Sequence, residues 1–360
     1  MITPHPVGVG IVGAGYISTI YLRNLTTRFD NVRVVGLADL MMDRAREQAA
    51  TFGVEAMTVD ELLDHPEIEL VVNLTIPAAH AEVGMQAIEA GKSIYTEKPL
   101  ATTPGDARKL LTMAADRGVR VGAAPDTFLG GGLQTVRALL DEGVIGRPVA
   151  ATGMMLTAGH ERWHPNPDFY YQPGGGPLWD MGPYYLTALL ALLGPVTRVV
   201  ATASTSFATR TIQSGPRAGE IVPVDTPTHI MTLLDFAGGA RGSLTTSFDV
   251  HDTNGSTLVL YGSEGTLRLP DPNTFGGPIE RLAPGADTWE SIEPRYPFTD
   301  NSRGLGVSDM ARVLREGGPH RASGEMAAHV VDIMAAALTS SDEGRHILIS
   351  SSFDRPAPLY

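Results

Sequence analysis

The chain lacks cysteine altogether and is poor in basic residues. Without cysteine it has no disulfides, no thiol nucleophile and no thiolate metal ligands. Its 27 Lys and Arg are outnumbered by 40 Asp and Glu, giving a formal net charge of −13. This balance argues against a surface for nucleic acid or anionic membranes, since phosphate binding needs clustered basic side chains. No apolar run reaches the ~18 residues of a membrane-spanning helix, and residues 1–6 do not form a signal peptide. We therefore expect a cytoplasmic protein.

The first third of the chain carries a dinucleotide-binding pattern. The apolar run 7–12 ends in Gly13-Ala14-Gly15-Tyr16-Ile17-Ser18, and a helical pattern follows. Gly13 allows a tight turn, and Gly15 lets the backbone approach a pyrophosphate at the helix N-terminus. A second apolar run, 32–38, ends in Asp39, 26 residues after Gly13. This spacing favours a carboxylate that accepts from the ribose hydroxyls. The alternative is that Asp39 is a turn or N-cap residue before a helix over 44–52.

Strand and helix patterns continue to alternate up to residue 125. This alternation predicts α/β architecture, with a doubly wound parallel sheet in a NAD-binding Rossmann domain over 1–125. The remaining 126–360 predict an α+β domain with a large, mostly antiparallel open sheet, for substrate binding and oligomerisation. Its predicted strands are 148–156, 196–206, 228–236, 241–250, 257–261 and 267–269, and its predicted helices are 133–142, 181–193, 306–315 and 324–338. The apolar alternation at Ile230, Leu233 and Phe236 predicts that the open sheet face is covered in a homodimer or homotetramer.

Two further motifs place polar side chains at predicted ligand-binding positions. Glu97-Lys98-Pro99 follows a short apolar stretch, so Lys98 would lie at the carboxyl end of a parallel strand, where such sheets bind ligands. Taken alone, this tripeptide is typical of a surface turn.

The second motif is Gly174-Gly175-Gly176-Pro177-Leu178-Trp179-Asp180-Met181-Gly182-Pro183-Tyr184. Asp180 and Tyr184 are four residues apart and would share a helix face if the helix has begun by Asp180. A carboxylate, a phenol and a lysine suit proton exchange with an alcohol beside a nicotinamide. Gly182 would let the helix approach a ligand or the cofactor domain. Alternatively, Asp180 caps the helix and Tyr184 is a core aromatic residue.

Together the glycine turn, the Glu-Lys-Pro turn and the triple-glycine motif resemble the Gfo/Idh/MocA oxidoreductases over essentially the whole chain. Tyr184 occupies the position of a histidine in the common family motif, and Thr187 replaces its final aspartate. The tyrosine version resembles glucose–fructose oxidoreductase, dihydrodiol dehydrogenases and sugar 3-ketoreductases. The resemblance implies that Lys98 and Tyr184 are catalytic and that Asp180 holds the sugar or supports them. The cofactor residues it implies are Gly13, Gly15, Tyr16, Ile17, Asp39, Thr75, Pro77, His80, Glu97 and Lys98. The substrate residues are Asp126, where the family often has Asn, together with His164, Asp180 and Tyr184.

An aromatic and polar loop over 163–171 precedes the triple glycine. Aromatic rings mixed with polar side chains suit carbohydrate, whose C–H faces stack on rings. A metal site at His160 and His164 is disfavoured, because no carboxylate stands at ligand spacing. We therefore predict no metal and a carbohydrate substrate.

These observations predict a NAD-dependent dehydrogenase acting on a secondary hydroxyl of a sugar, glycoside or cyclitol, or on the corresponding keto sugar in reverse. NAD is favoured over NADP, because Asp39 would repel a 2′-phosphate and residues 40–42 include no arginine. One alternative is redox-assisted glycoside cleavage with NAD retained. Another is a non-catalytic, cofactor-sensing regulator.

Overall fold

The computed structural model describes residues 5–251 and 257–360. Residues 1–4 lie outside the described residues. They belong to the segment 1–6, for which the sequence predicts no signal peptide. The chain divides into two compact units: residues up to 129 with 300–331, and 130–299 with 332–358. Segment 300–331 thus groups with the N-terminal residues, whereas the sequence analysis assigned it to the second domain by its position in the chain. Among the described residues, no helix has the length and apolarity needed to cross a bilayer.

A six-stranded parallel sheet forms the centre of the first unit. Its strands are β1 Val7–Val12, β2 Val32–Ala38, β3 Glu55–Met57, β4 Leu70–Asn73, β5 Ser93–Thr96 and β6 Val121–Ala123. They lie in the order β3-β2-β1-β4-β5-β6, and all pairs are parallel. The order reverses between β1 and β4, where doubly wound folds bind dinucleotides beyond the strand ends. The predicted doubly wound sheet is confirmed, although β3 was not predicted.

Five helices connect these strands: α1 Ser18–Thr27, α2 Met42–Phe52, α3 Val59–Asp64, α4 His80–Glu89 and α5 Pro104–Arg117. Local sequence explains their ends. Thr103 accepts a hydrogen bond from the backbone N–H of Asp106 at the start of α5, and Gly118 ends this helix in the left-handed conformation. The capping pair Thr58 and Glu61 begins α3 in the same way.

A nine-stranded sheet forms the second unit. In chain order its strands are β7 Pro148–Leu156, β8 Val196–Ser204, β11 His229–Phe236, β12 Arg241–Ser247, β13 Thr257–Gly262, β14 Gly265–Leu269, β15 Ile279–Leu282, β16 Glu290–Ile292 and β17 Ile347–Leu348. A separate hairpin pairs β9 Thr209–Thr211 with β10 Ile221–Pro223. The sheet order is β16-β15-β14-β13-β7-β12-β11-β8-β17, and every pair is antiparallel except β7 with β12. The predicted mostly antiparallel sheet is confirmed.

Helices α6 Gly131–Asp141, α7 Gly176–Leu193, α8 Leu305–Glu316 and α9 Gly324–Glu343 complete the chain. Helix α7 packs against β7, β11 and β12 and covers one face of the large sheet. It begins five residues before its predicted start at residue 181, because Gly175 supplies an extended N-cap and Pro177 fits the first turn.

The opposite face of that sheet exposes apolar side chains. Leu233 is 57% exposed, Met231 is exposed on the same strand, β11, and Met154 is exposed on β7, which is separated from β11 by β12. Ile230 and Phe236, which the sequence analysis grouped with Leu233, are buried on the helix-covered face. That grouping was wrong, because residues separated by an odd number along a strand point to opposite faces.

Candidate functional site

The glycine turn after β1 provides open space beside its backbone. Gly13 has φ 109°, and a Cβ atom added to it would lie 2.6 Å from the carbonyl oxygen of Leu74. A Cβ atom added to Gly15 would meet no atom within 4 Å. Gly13 is therefore required by the fold, whereas Gly15 leaves room for a ligand to approach the backbone. Ser18, at the third small position of the fingerprint, is buried and donates from Oγ to the carbonyl of Gly15 at 2.6 Å.

Asp39 lies beside the glycine turn. Its Oδ2 accepts a hydrogen bond from the backbone N–H of Ala14 at 2.7 Å, and its Oδ1 accepts from Met41 N–H at 2.8 Å. The bond from Met41 closes a local turn, which is the alternative role predicted for Asp39 from the sequence. The first bond ties the carboxylate to the turn between β1 and α1, where a ribose partner is needed.

Large apolar side chains are exposed around this turn. In the described part of the first unit the exposed ones are Tyr16, Leu40, Met41 and Ile76, with Tyr16 98% exposed. They follow the carboxyl ends of β1, β2 and β4, and the partly exposed Ile17 stands beside Tyr16 at the start of α1. Exposed apolar groups concentrated at one sheet edge indicate a binding site. Apolar walls beside open backbone fit the flat rings and pyrophosphate of a dinucleotide.

The loop after β4 is braced from behind by His80. The Nδ1 of this buried histidine lies 2.6 Å from the carbonyl oxygen of Pro99, and Nε2 lies 3.0 Å from that of Thr75. Burial lowers the pKa of His80, whereas the two carbonyls act to raise it, since only the charged ring donates from both nitrogens. Thr75 itself bonds to Asn73 through Oγ1 at 2.7 Å, and Pro77 begins a 3₁₀ turn. Since His80 is 1% exposed, it positions the loops that carry Thr75 and Lys98.

Glu97 and Lys98 follow β5, as predicted. The Oε2 of the buried Glu97 carboxylate accepts from the backbone N–H of Lys98 at 2.9 Å, and Oε1 accepts from the hydroxyl of Tyr21 at 2.8 Å. The Lys98–Pro99 peptide is cis. The carboxylate of Glu97 thus fixes the backbone from which the half-buried Lys98 side chain projects.

Asp126 is 1% exposed, at the N-terminal end of α8. Its Oδ2 accepts from the backbone N–H groups of Gly304 and Gly306, each at 2.9 Å. Burial raises the pKa of Asp126 to about 6, although these two hydrogen bonds favour the charged form. Its predicted contact with substrate stays a prediction.

Asp180 and Tyr184 both lie within α7, one turn apart. Their shared helix face was predicted from spacing, and the helix has begun before Asp180, as that prediction required. Tyr184 is buried and Asp180 is half-buried. Gly182 lies against its own helix and α9: an added Cβ atom would approach Leu178 to 3.0 Å and Met334 to 3.5 Å. Gly182 therefore packs within the second unit. The sequence had instead predicted that it lets the helix approach a ligand or the cofactor domain.

His160, considered from the sequence only as a disfavoured metal ligand, holds Asp180. The Nε2 of His160 lies 3.0 Å from Oδ2 of Asp180, and the indole Nε1 of Trp163 donates to Nδ1 of His160 at 3.3 Å. Because an indole N–H can only donate, Nδ1 is the acceptor and the ring proton lies on Nε2. His160 therefore donates to the Asp180 carboxylate. A histidine among aromatic residues was the available signal, but its partner lies 20 residues away and is set by tertiary structure.

His164 lies in the same loop, one ring further from Asp180. Its ring centroid is 5.3 Å from that of Trp163 and 5.5 Å from that of Phe169. Within residues 5–251 and 257–360, no group of three or more histidines and carboxylates is arranged to hold a metal ion. The aromatic loop and the Asp180 motif thus belong to one part of the second unit.

Two family models match the chain. One, described as an oxidoreductase family with an NAD-binding Rossmann fold, matches residues 7–124. The other, the GFO/IDH/MocA C-terminal domain, matches residues 133–268.

Named relatives agree with these matches. Levoglucosan dehydrogenase from Pseudarthrobacter phenanthrenivorans is 30% identical over 250 residues, which are 64% of this chain and 63% of that protein. Trans-1,2-dihydrobenzene-1,2-diol dehydrogenase from Bos taurus is 28% identical over 319 residues, which are 85% of this chain and 87% of that protein. The chain thus spans less than two thirds of the first relative, and 42% of the inositol 2-dehydrogenase from Gluconacetobacter diazotrophicus. A structure of levoglucosan dehydrogenase in complex with NADH and L-sorbose shares the fold, with a TM-score of 0.82, 23% identity and coverage of 96% of this chain and 99% of that chain.

The parallel sheet and the open glycine turn fit the NAD-binding Rossmann fold of the family model that matches residues 7–124. The chain belongs to the Gfo/Idh/MocA oxidoreductase family, and the predicted resemblance is confirmed.

Proposed function

We propose that this chain is a dehydrogenase that oxidises a secondary hydroxyl of a sugar, glycoside or cyclitol, or reduces the corresponding keto sugar. The observation that carries the proposal is the pair Asp180 and Tyr184 on one face of α7, with Asp180 held by the N–H of His160. A fixed acceptor and a phenol one turn apart suit an alcohol that must be oriented and deprotonated. The names of the dehydrogenases from P. phenanthrenivorans and Bos taurus support an alcohol substrate.

The first unit would hold NAD at the ends of β1, β2 and β4. The open side of Gly15 admits the pyrophosphate, and Asp39 accepts from the ribose hydroxyls. Tyr16, Ile17, Leu40 and Ile76 supply apolar contact for the flat rings. When bound, the nicotinamide supplies the hydride acceptor at C4. Loop residues Thr75 and Pro77, braced by His80, line its nicotinamide side.

Tyr184 exchanges the hydroxyl proton in this proposal. A free phenol titrates near pH ~10, so it is a poor base at neutral pH without help. Positive charge nearby favours the phenolate. The resemblance of the Glu97-Lys98-Pro99 turn to the family motif assigns that charge to Lys98, whose ammonium would stabilise the alkoxide as it forms. Glu97 fixes the Lys98 backbone, which limits the positions its ammonium reaches.

Asp180 orients the substrate by accepting a hydrogen bond from a sugar hydroxyl. Since Oδ2 of Asp180 already accepts a hydrogen bond from Nε2 of His160, the direction of the carboxylate is set before substrate binds. Such preorganisation removes an entropic cost from the reactive complex.

The proposal is tested by mixing the purified chain with a panel of sugars, glycosides and cyclitols, with NAD or NADP, and following the nicotinamide absorbance. Net NADH formation with one class of polyol supports the dehydrogenase. Cleavage of a glycoside without net NADH would identify the redox-assisted alternative. Cofactor binding without any turnover would favour the regulator.

A matched pair of tyrosines tests the proton-transfer role. Tyr184→Phe keeps the ring and removes the hydroxyl, so kcat should fall by about 10²–10⁴ while cofactor affinity is kept. Lys98→Ala should lose at least as much. Tyr185→Phe is the control, because this buried neighbour donates its hydroxyl to the carbonyl of Met154 at 3.2 Å. Loss of this hydrogen bond in Tyr185→Phe should lower the free energy of unfolding by about 1 kcal/mol and leave kcat unchanged. Near-normal turnover in Tyr184→Phe would assign the proton to another group.

We also propose that a second copy of the chain covers the outer face of the large sheet. Met231 and Leu233 of β11 and Met154 of β7 are exposed there. Registered pairing places Thr245 of β12 opposite both Met154 and Met231. An apolar row across the centre of a sheet is unfavourable in water and suits a self-complementary interface.

A further inference from the structure

Two large aromatic side chains of the second unit are exposed close to Asp180. Trp163 is 59% exposed and Phe169 is 50% exposed, and both belong to the loop between β7 and α7. Exposing such rings sacrifices much of the hydrophobic stabilisation that they would gain in a core. Exposed aromatic groups beside a candidate active site indicate a ligand-binding surface.

The loop that carries these rings is held in place by the β9–β10 hairpin. Arg217, between the two strands, forms a bidentate ion pair with Asp168, with distances of 2.5 Å and 3.0 Å. The backbone N–H of Gln213 donates to the carbonyl of Glu161, and that of Asp225 donates to Tyr171, each at 2.8 Å. These bonds tie both ends of the aromatic segment to the hairpin. The rings are thus presented by an ordered surface, which reduces the entropic cost of binding.

A neutral hydrogen-bond donor stands between the two exposed rings. The Nδ1 of His164 accepts from the backbone N–H of Asn166 at 3.1 Å, which leaves the ring proton on Nε2. Burial is the largest cause of the lowered pKa of His164, and this favours the neutral ring at neutral pH. In the part of the chain that the structure describes, Nε2 has no hydrogen-bond partner. Trp163, His164 and Phe169 therefore offer two apolar faces and one N–H group, a combination that matches the C–H faces and hydroxyls of a sugar ring.

This surface is continuous with the Asp180 motif. The imidazole of His160 links Trp163 on one side, at 3.3 Å, to the Asp180 carboxylate on the other, at 3.0 Å. Tyr170 packs at 4.5 Å from His160 and at 4.0 Å from Phe169, measured between ring centroids. One imidazole therefore separates the acceptor for the reacting sugar from the exposed rings.

We propose that Trp163, His164 and Phe169 bind the second pyranose ring of a two-ring glycoside, whose first ring presents its hydroxyl to Asp180 and Tyr184. This inference rests on the proposed dehydrogenase function and narrows its substrate class to disaccharides and larger glycosides. The outer ring stacks on Trp163 and Phe169, and one of its hydroxyls accepts from Nε2 of His164.

The test compares kcat/KM for methyl glucosides, for maltose and cellobiose, and for phenyl glucoside, with methyl xyloside and xylobiose as a parallel set. The unaltered chain should prefer a disaccharide to the matching methyl glycoside by at least tenfold, as ~1.4 kcal/mol of added binding requires. Phe169→Ala should reduce that preference by about tenfold. Phe207→Ala is the matched control, because Phe207 is an exposed aromatic residue of the same unit that does not belong to the Trp163, His164 and Phe169 surface. It should leave the preference within about twofold.

His164→Phe separates sugar recognition from simple stacking. It keeps an aromatic ring and removes the N–H, so the disaccharide should lose more than the phenyl glucoside, whose outer ring has no hydroxyl. Equal or greater kcat/KM for methyl glycosides would overturn the second-ring site and leave the dehydrogenase intact. A preference for phenyl glucoside would reassign the surface to an aromatic aglycone and overturn pyranose binding. No NADH from these glycosides, together with NADH from a cyclitol or another sugar of the wider panel, would overturn the second-ring site alone. No NADH from the whole panel would overturn the proposed function as well.

Discussion

The buried carboxyl of Asp126 should make stability depend on pH in an unusual direction. Burial raises its pKa from 3.8 to about 6. The folded chain therefore binds this proton more tightly than the unfolded chain does. Below pH 3.8 both states are protonated and the group costs nothing. As pH rises towards 6 the cost of ionising the buried carboxyl develops in full, so stability falls over this range.

The expected size of the effect follows from the two pKa values. A difference of about 2.2 units corresponds to about 3 kcal/mol of lost stability at pH 8. At pH 5 the same linkage relation gives about half of this loss, so the other half, roughly 1–2 kcal/mol, develops between pH 5 and pH 8. Asp126→Asn removes the ionisation and keeps an oxygen that accepts from Gly304 and Gly306. The stability of the variant relative to the unaltered chain should therefore rise by roughly 1–2 kcal/mol between pH 5 and pH 8.

Urea unfolding of both proteins at several pH values from 5 to 8 measures this difference. The change with pH is the readout, since any pH-independent cost of the new amide group cancels. Asp43→Asn removes a charge from an exposed carboxylate that pairs with Arg46 at 3.2 Å, and the corresponding difference should stay flat. A relative stability of Asp126→Asn that is constant or falls from pH 5 to 8 would refute the reasoning. Turnover of the same variant tests the predicted substrate contact, because a carboxylate that holds substrate is needed for kcat/KM.

Two further predictions concern the cofactor and the assembly. Asp39→Ser should weaken NAD binding and shift the ratio of the NADP and NAD dissociation constants by at least tenfold in favour of NADP. Asp43→Ala is the control and should leave this ratio unchanged. Equal or tighter binding of NADP than of NAD by the unaltered chain would contradict the assignment of Asp39. Light scattering at micromolar concentration should give a multiple of 38.2 kDa. Leu233→Glu should reduce that mass to one chain, whereas Thr112→Glu, on an exposed helix surface, should not. A single-chain mass for the unaltered protein would exclude the proposed interface.

The fold was predictable where the local pattern was long or chemically distinctive. The apolar runs of β1, β2 and β4 and the glycine turn after β1 are strong signals, because buried parallel strands need continuous apolar sequence. Strand β3 and the β9–β10 hairpin each offer only three residues per strand, and each strand has at least one exposed position. Their pairing depends on neighbours distant in sequence, so no local pattern identifies them.

The site was predictable where a motif supplied both residue type and spacing. Asp180 and Tyr184 are four residues apart on one helix, and Lys98 follows a strand. Glu97 follows β5 as predicted, whereas His80, predicted in the turn before a helix, is the first residue of α4. The contacts of both residues were not predicted. Glu97 holds the Lys98 backbone and the hydroxyl of Tyr21, and His80 joins two backbone carbonyls. These roles depend on burial behind the loops, which residue type alone does not reveal.

Adjacent tyrosines show how helical geometry distinguishes two residues that composition does not. Tyr184 and Tyr185 are both buried aromatic residues of α7, and each has a hydroxyl. A helix turns about 100° per residue, so Tyr184 shares the face of Asp180 and Tyr185 does not. Tyr185 instead reaches Met154 in the sheet. The sheet therefore fixes the rotation of α7, and that rotation decides which phenol lies on the face of the carboxylate held by His160.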